Sequence, residues 1–149
     1  MDPAGSQFPD WNEADIADLL DDVRMWRRLR SDSAVDPADL LRRVVGGLLG
    51  ARFDGVGGRL ELQPWLPEGW PKMVVRRLRV HRTLIDLDIR VKAEWTTVRL
   101  AVMFGPPIAV GLRLPDHFGV ARVAVDEVPL PASGAVFTAA GEHEVTLYF

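Results

Sequence analysis

The sequence predicts a mainly β protein: two N-terminal α-helices followed by an antiparallel β-sandwich of about seven strands, jelly-roll-like in layout. Three observations carry this prediction. The apolar residues recur at helical spacing up to Leu49 and at a spacing of two after Gly58. The alternating segments are short and are separated by turns that contain Gly or Pro. Within them the alternation is clean, as expected when one face of a strand is buried and the other is wet, an antiparallel signature. At 149 residues a single domain is the default.

Residues 1–9 read as an irregular lead-in, and residues 10–50 as a helical hairpin. Asp10 has the position of an N-cap with Glu13 three residues on, close to a capping box. Ile16, Leu19, Leu20, Val23, Trp26 and Leu29 then form one face of a helix over residues 11–30. Its acids come first and Arg24, Arg27, Arg28 and Arg30 last, as the helix dipole favours. Ser31-Asp32-Ser33 breaks it. Asp36 and Pro37 start a second helix, whose face holds Leu40, Leu41, Val44, Val45, Leu48 and Leu49 and which Gly50 stops.

The sandwich is expected over residues 59–149. Arg59 to Leu62 opens it, and a turn rich in Pro, Gly and Trp runs from Pro64 to Pro71. Val74–Val80 and Leu84–Val91 pair as a hairpin; Val98 to Val102, Ile108 to Leu114, Val123 to Val125 and Val145 to Phe149 repeat the alternation. If the hairpin loop is His81-Arg82, Arg77 lies opposite Asp86 as a cross-strand ion pair, and Arg76 falls on the Leu78 and Val80 face, free to serve an interface.

Composition narrows the function. A net charge of −3 and a pI near 5.6 argue against nucleic acid as the main partner. Residues 1–35 hold 8 acids and 4 bases, whereas residues 59–94 hold 5 acids and 8 bases. No run approaches the ~20 apolar residues of a membrane span. The acidic start is unlike a secretory signal, so a cytoplasmic location is expected. With no Cys, neither disulfides nor thiol chemistry are available.

Candidate chemistry is sparse, and no cofactor is called for. His81, His117 and His143 lack metal-ligand spacing, and no phosphate loop, dinucleotide fingerprint or nucleophile elbow occurs. Gly55-Val56-Gly57-Gly58 has no phosphate-binding helix after it. Asp18 with Asp22, and Asp86 with Asp88, are carboxylate pairs on polar faces, with nothing apolar to set their pKa values apart as a hydrolase needs. Trp65, Trp70 and Trp95 are candidate sugar-stacking residues, since they leave the apolar stripes that explain Trp26.

One stretch resembles a known family. Leu48-Leu49-Gly50-Ala51-Arg52-Phe53-Asp54, then Gly58-Arg59-Leu60-Glu61-Leu62 and Pro64-Trp65-Leu66-Pro67-Glu68-Gly69-Trp70, is similar to a junction in bacterial glycoside hydrolases of the glycogen-debranching and amylo-α-1,6-glucosidase type. There the last helix of an α/α barrel passes into a C-terminal β-sandwich. Val75–Val80 with Leu84–Ile89, and Gly105 to Pro115, resemble later strands of the same domains, so the likeness covers about residues 40–149. The family has Gly in the hairpin turn where this chain has His81-Arg82-Thr83. Its catalytic carboxylates lie in the barrel, which this chain lacks apart from what resemble its last two helices.

The resemblance therefore implies a non-catalytic accessory domain and carries no catalytic residue over. Such a domain would pack on a glycoside-hydrolase barrel subunit or form a homo-oligomer through its helices, with Ile16, Leu20, Val23, Leu41, Val45 and Leu48 as candidate interface residues. The alternative is a stand-alone α-glucan-binding module. No nucleic acid or membrane partner is expected.

Overall fold

The alternation after Gly58 closes into two sheets in the computed structural model, which describes residues 44–56, 58–66, 69–114 and 118–149. Ten strands follow one helical turn, Val44–Leu48: β1 Arg52–Asp54, β2 Arg59–Leu62, β3 Lys72–Val80, β4 Thr83–Val91, β5 Trp95–Phe104, β6 Ile108–Leu112, β7 Arg122–Val125, β8 Val128–Leu130, β9 Ala135–Ala139 and β10 Glu142–Tyr148. One sheet has the order β1-β2-β6-β9 and the other β3-β4-β5-β10-β7-β8. The expected mainly β, two-sheet architecture is present. The helix expected over residues 11–30 lies outside the described residues, with Ile16, Leu20, Val23 and Leu41. Of the second expected helix, residues 44–49 fall within them, and there the chain forms a five-residue π-helical turn, Val44–Leu48, rather than an α-helix.

All seven segments of alternating sequence are strands. The three unanticipated strands, β1, β8 and β9, are short and peripheral, with few inward residues to set a period. β1 also lies ahead of the expected start of the sandwich. The Gly-rich link after it is a hairpin turn, in which Val56 N–H donates to Asp54 Oδ1 (2.9 Å) and Gly58 N–H to the Asp54 carbonyl (2.8 Å).

One pair departs from the antiparallel expectation: β2 and β6 run parallel, with Leu60 beside Val110 and Leu62 beside Leu112. Ile108, Val110 and Leu112 are buried, and Gly111 is covered by the Arg59 and Glu61 side chains of β2. The core lies between the sheets. Leu60, Leu62, Val110 and Leu112 face Ile85, Leu87, Ile89, Val98, Leu100, Val123, Val145 and Leu147. Each is almost fully buried and removes on the order of 1.5–3 kcal/mol of apolar exposure.

The helical turn is fastened to the sheet it precedes. Ala51 N–H donates to the Val45 carbonyl, Gln63 N–H to that of Leu49 and Trp65 N–H to that of Leu48, at 2.9–3.1 Å. Gly50 makes this close approach feasible: its φ is +53°, and a Cβ there would sit 2.5 Å from the Gln63 carbonyl oxygen. The expected stop at Gly50 is thus also the point where helix end and β-sheet touch.

The β3–β4 hairpin does close through His81-Arg82, with Val80 beside Thr83. The side chain opposite Asp86 needs a correction. The register shifts between Val75 and Leu78, so Arg76 and Arg77 together oppose Asp86 across a β-bulge. The bulge turns Arg76 to the outer face, where its Nη1 lies 3.1 Å from Asp86 Oδ2. Arg77, with φ +55°, contributes its backbone N–H to Asp86 Oδ1 at 2.8 Å. Asp86 therefore pairs with Arg76 rather than with the Arg77 side chain, and it satisfies the amide that the bulge removes from the ladder.

Candidate functional site

Inward positions on β4, β5 and β10 are fixed by the core, so the intervening residues share the outer face of the six-stranded sheet. Asp86, Asp88 and Arg90 come from β4, Thr97, Arg99 and Ala101 from β5, and Glu142, Glu144, Thr146 and Tyr148 from β10. The long strand-to-strand register makes these residues neighbours although β5 and β10 are far apart in sequence. Arg99 sits directly beside Glu144, with Nε 2.6 Å from Oε2. The Asp126–Glu127 turn and the Arg76 bulge border the same area. Together they enclose a groove of about 570 Å³ lined by Arg76, Asp86, Asp88, Arg99, Asp126 and Glu144, with Glu142 and His143 at one side.

The carboxylates here are held, not loose. Asp88 Oδ1 is 3.0 Å from Arg90 Nε, and its Oδ2 is 3.5 Å from Lys72 Nζ. The hydrogen bond from Arg90 keeps the Asp88 carboxyl below its ordinary 3.8, assisted by the charges of Arg90 and Lys72 and opposed by burial. The Asp86 and Asp88 side chains are only 15% and 16% exposed. Their partners come from β3 and β4 themselves, so the rotamers are set by the sheet.

At the rim, Val125-Asp126-Glu127-Val128 forms a two-residue hairpin in which both central residues have positive φ, +50° and +68°. That is the type I′ pattern, made here without glycine. Asp126 Oδ1 accepts the Glu144 N–H (2.8 Å), and its Oδ2 is 2.7 Å from His143 Nδ1. Ala140 N–H donates to His143 Nε2 at 3.1 Å, so Nε2 is the bare nitrogen and Nδ1 carries the proton in the neutral ring. The Glu144 N–H first, and His143 second, hold the Asp126 carboxyl below its ordinary value. The His143 ring also packs on Phe137 of the opposite sheet, at 5.2 Å between centroids.

The three candidate sugar-stacking tryptophans are dispersed. Trp65 is half-buried beside the helical turn. Trp70 is 37% exposed just ahead of β3. Trp95, also 37% exposed, is the one that shares the outer face with Arg99: it heads β5 and stands beside Tyr148 of β10. Arg122 of β7 completes that rung, its guanidinium 4.0 Å from the Tyr148 ring centroid. Among the candidate interface residues within the described part, Leu48 is only 4% exposed and belongs to the chain's own interior, while Val45 is half-buried.

Sequence reasoning placed Asp86 and Asp88 on a polar face and singled out Trp95 at a strand start, but missed Arg99, Glu144, Asp126, Tyr148 and Arg122. Arg99 and Glu144 do occupy outward alternation positions, which is a readable signal. Their pairing depends on a register between distant strands, which is not.

Among the described residues, no group of three or more His, Asp or Glu is placed to hold a metal ion, and no helix is long and apolar enough to cross a membrane. Compared with protein-family models, characterised proteins and solved structures, the chain matches none. The likeness of Leu48–Trp70 to the debranching-type junction therefore rests on the sequence pattern.

Proposed function

We propose that this protein is a non-catalytic sandwich module of the type appended to α/α-barrel glycoside hydrolases, and that its helical segment docks on such a barrel. The observation that carries this reading is the joint at Gly50. A module that continues a barrel's last helix needs a stiff passage from helix to sheet. Here three backbone hydrogen bonds and a glycine without room for a Cβ supply one. The carboxylates are in keeping with a non-catalytic role. A general acid needs a raised pKa, whereas Asp88 and Asp126 are both lowered by donors that stabilise the charged form.

The test has two parts. The full chain, incubated with maltooligosaccharides, should release no reducing ends above background; turnover abolished by Asp86→Asn or Glu144→Gln would overturn the non-catalytic reading. Mixed with a debranching-type barrel hydrolase from which its own sandwich has been removed, the chain should sediment as a one-to-one complex that Val45→Asp weakens. A chain that stays separate from the barrel, or that only pairs with itself, overturns the docking.

A second reading, a stand-alone α-glucan-binding module, is favoured by one observation: Trp95 stands beside Tyr148 on the same face as the charged groove.

A further inference from the structure

We infer that the outer face of the six-stranded sheet is a binding site for a neutral oligosaccharide, seated in the Asp86–Arg99–Glu144 groove at one end and on the Trp95–Tyr148 rung at the other. This rests on the second reading above and gives it a place, a ligand chemistry and a minimum ligand length.

The chemistry of the groove selects the ligand. Five carboxylates line it against two guanidinium groups, so an anion such as a phosphate ester is repelled. Four of the five carboxylates are not an open cation trap either, the fifth being Glu142, exposed at one side. Asp86 is engaged by Arg76 and the Arg77 amide, Asp88 by Arg90 and Lys72, Glu144 by Arg99, and Asp126 by His143 and the Glu144 amide. The groove thus presents acceptors and N–H donors side by side. A hydroxyl, which both donates and accepts, matches that alternation, whereas an ammonium or a carboxylate uses only half of it. An apolar ligand would leave these groups desolvated and unpaired.

The rung geometry sets the length. Trp95 and Arg99 point to the same face of β5 four residues apart, as do Tyr148 and Glu144 on β10, with Thr97 beside Thr146 between them. At the usual rise per residue the aromatic rung and the ion-paired rung are about 13 Å apart. A single hexose does not bridge that distance, and a short chain does. The intervening threonines keep the path low and polar. Arg122 packs on one face of the Tyr148 ring, 4.0 Å from its centroid, and leaves Trp95 as the aromatic side chain open to a ligand.

The experiment is a calorimetric titration of the full chain with glucose, maltotriose and maltopentaose, with spermidine as the cationic probe. Saturable binding of the two oligosaccharides, with glucose at least tenfold weaker, is expected. Trp95→Ala and Glu144→Gln should each weaken maltotriose at least tenfold, while thermal melting and far-ultraviolet dichroism show the fold intact. Glu144→Gln is the safeguard if loss of Trp95 disturbs the sheet. Oligosaccharide binding that survives both substitutions but is lost in Trp70→Ala would overturn this site and leave the α-glucan-binding reading standing. No binding of any sugar overturns both. Spermidine binding tighter than maltopentaose, lost in the same variants, overturns the neutral ligand.

Discussion

The two outer faces of the sandwich carry grooves of nearly equal volume, about 570 Å³ on the six-stranded sheet and about 560 Å³ on the four-stranded one, yet they are built differently. On the six-stranded sheet, Asp86 and Asp88 are mostly covered; Asp86 receives Arg76 and the Arg77 amide from the β3 bulge, and Asp88 receives Arg90 of its own strand and Lys72 of β3. On the four-stranded sheet the conspicuous pair is Arg59 with Glu61, two residues apart on one strand, each more than a third exposed. It lies over Gly111, where a Cβ would meet the ends of those same two side chains. On the first face Asp86 and Asp126 each accept a backbone N–H, so these carboxylates complete the pairing of the sheet. The second is a pair within one strand that rests on a glycine. Volume alone does not separate a preorganised site from a surface hollow; what fixes the polar atoms does.

The contrast can be broken most directly by removing one carboxylate from each face. Asp86→Ala removes the acceptor of the Arg77 amide and the partner of Arg76 and should lower stability by about 1–1.5 kcal/mol, read by urea denaturation. Glu61→Ala should change stability by less than about 1 kcal/mol, as for an exposed ion pair. Equal losses would erase the distinction drawn above.

A smaller effect concerns the two hairpin turns that use non-glycine residues at positive φ. At Asp126 the left-handed backbone is accompanied by two hydrogen bonds to the side chain, whereas His81, at φ +55°, has an edge-on ring contact with Phe53 at 6.0 Å. Asp126→Gly should therefore destabilise the protein by about 1 kcal/mol through loss of those bonds. His81→Gly should stabilise it by roughly 0.5–1 kcal/mol, strain relief exceeding the entropy that glycine adds to the unfolded chain. Matched thermal melts of the two variants would decide it, and a shift of the same sign in both would sink the comparison.

Smallest is the acid response of the six-stranded face. The folded-state pKa values of Asp88 and Asp126 lie below the ordinary carboxylate value, so their contribution is present above pH 3.8 and is lost as pH falls through the folded values. The stability gap between the wild type and Asp88→Asn should accordingly be steady at neutral pH and narrow below about pH 4. A gap that widens on acidification would reverse the sign argued here.

Legibility of the sequence followed the same physical division. Strands with several inward apolar residues, such as β4 with Ile85, Leu87 and Ile89, announced themselves, because burial enforces the period. β1 and β8 did not, because three residues at a sheet margin need no period. Asp86 was recognised as facing a basic strand, but the bulge that hands it to Arg76 depends on where the extra residue is absorbed, and nothing in Val-Arg-Arg-Leu reveals that. The Asp126–Glu127 turn lacked the Asn-Gly or Asp-Gly signal usual for its type. The candidate groove was visible only as fragments, since its decisive neighbours, Arg99 with Glu144 and Trp95 with Tyr148, meet through long-range register.

The parallel pairing of β2 with β6 has a kinetic consequence. β3, β4 and β5 are joined by short turns and can zip together as a local meander, whereas β2 meets β6 only after that whole meander has been bridged. Contacts between remote segments form late, since the loop between them must first close. The six-stranded sheet should therefore gain its first three strands early, and the seam between Leu60 and Val110 should close among the last events. Pulse-labelled hydrogen exchange would show amides of β4 protected before those of β2. Because backbone bonds beside Gly50 tie the helical turn Val44–Leu48 to the end of β2, that turn is secured to the sandwich only when the seam closes. The joint is thus a late checkpoint of folding.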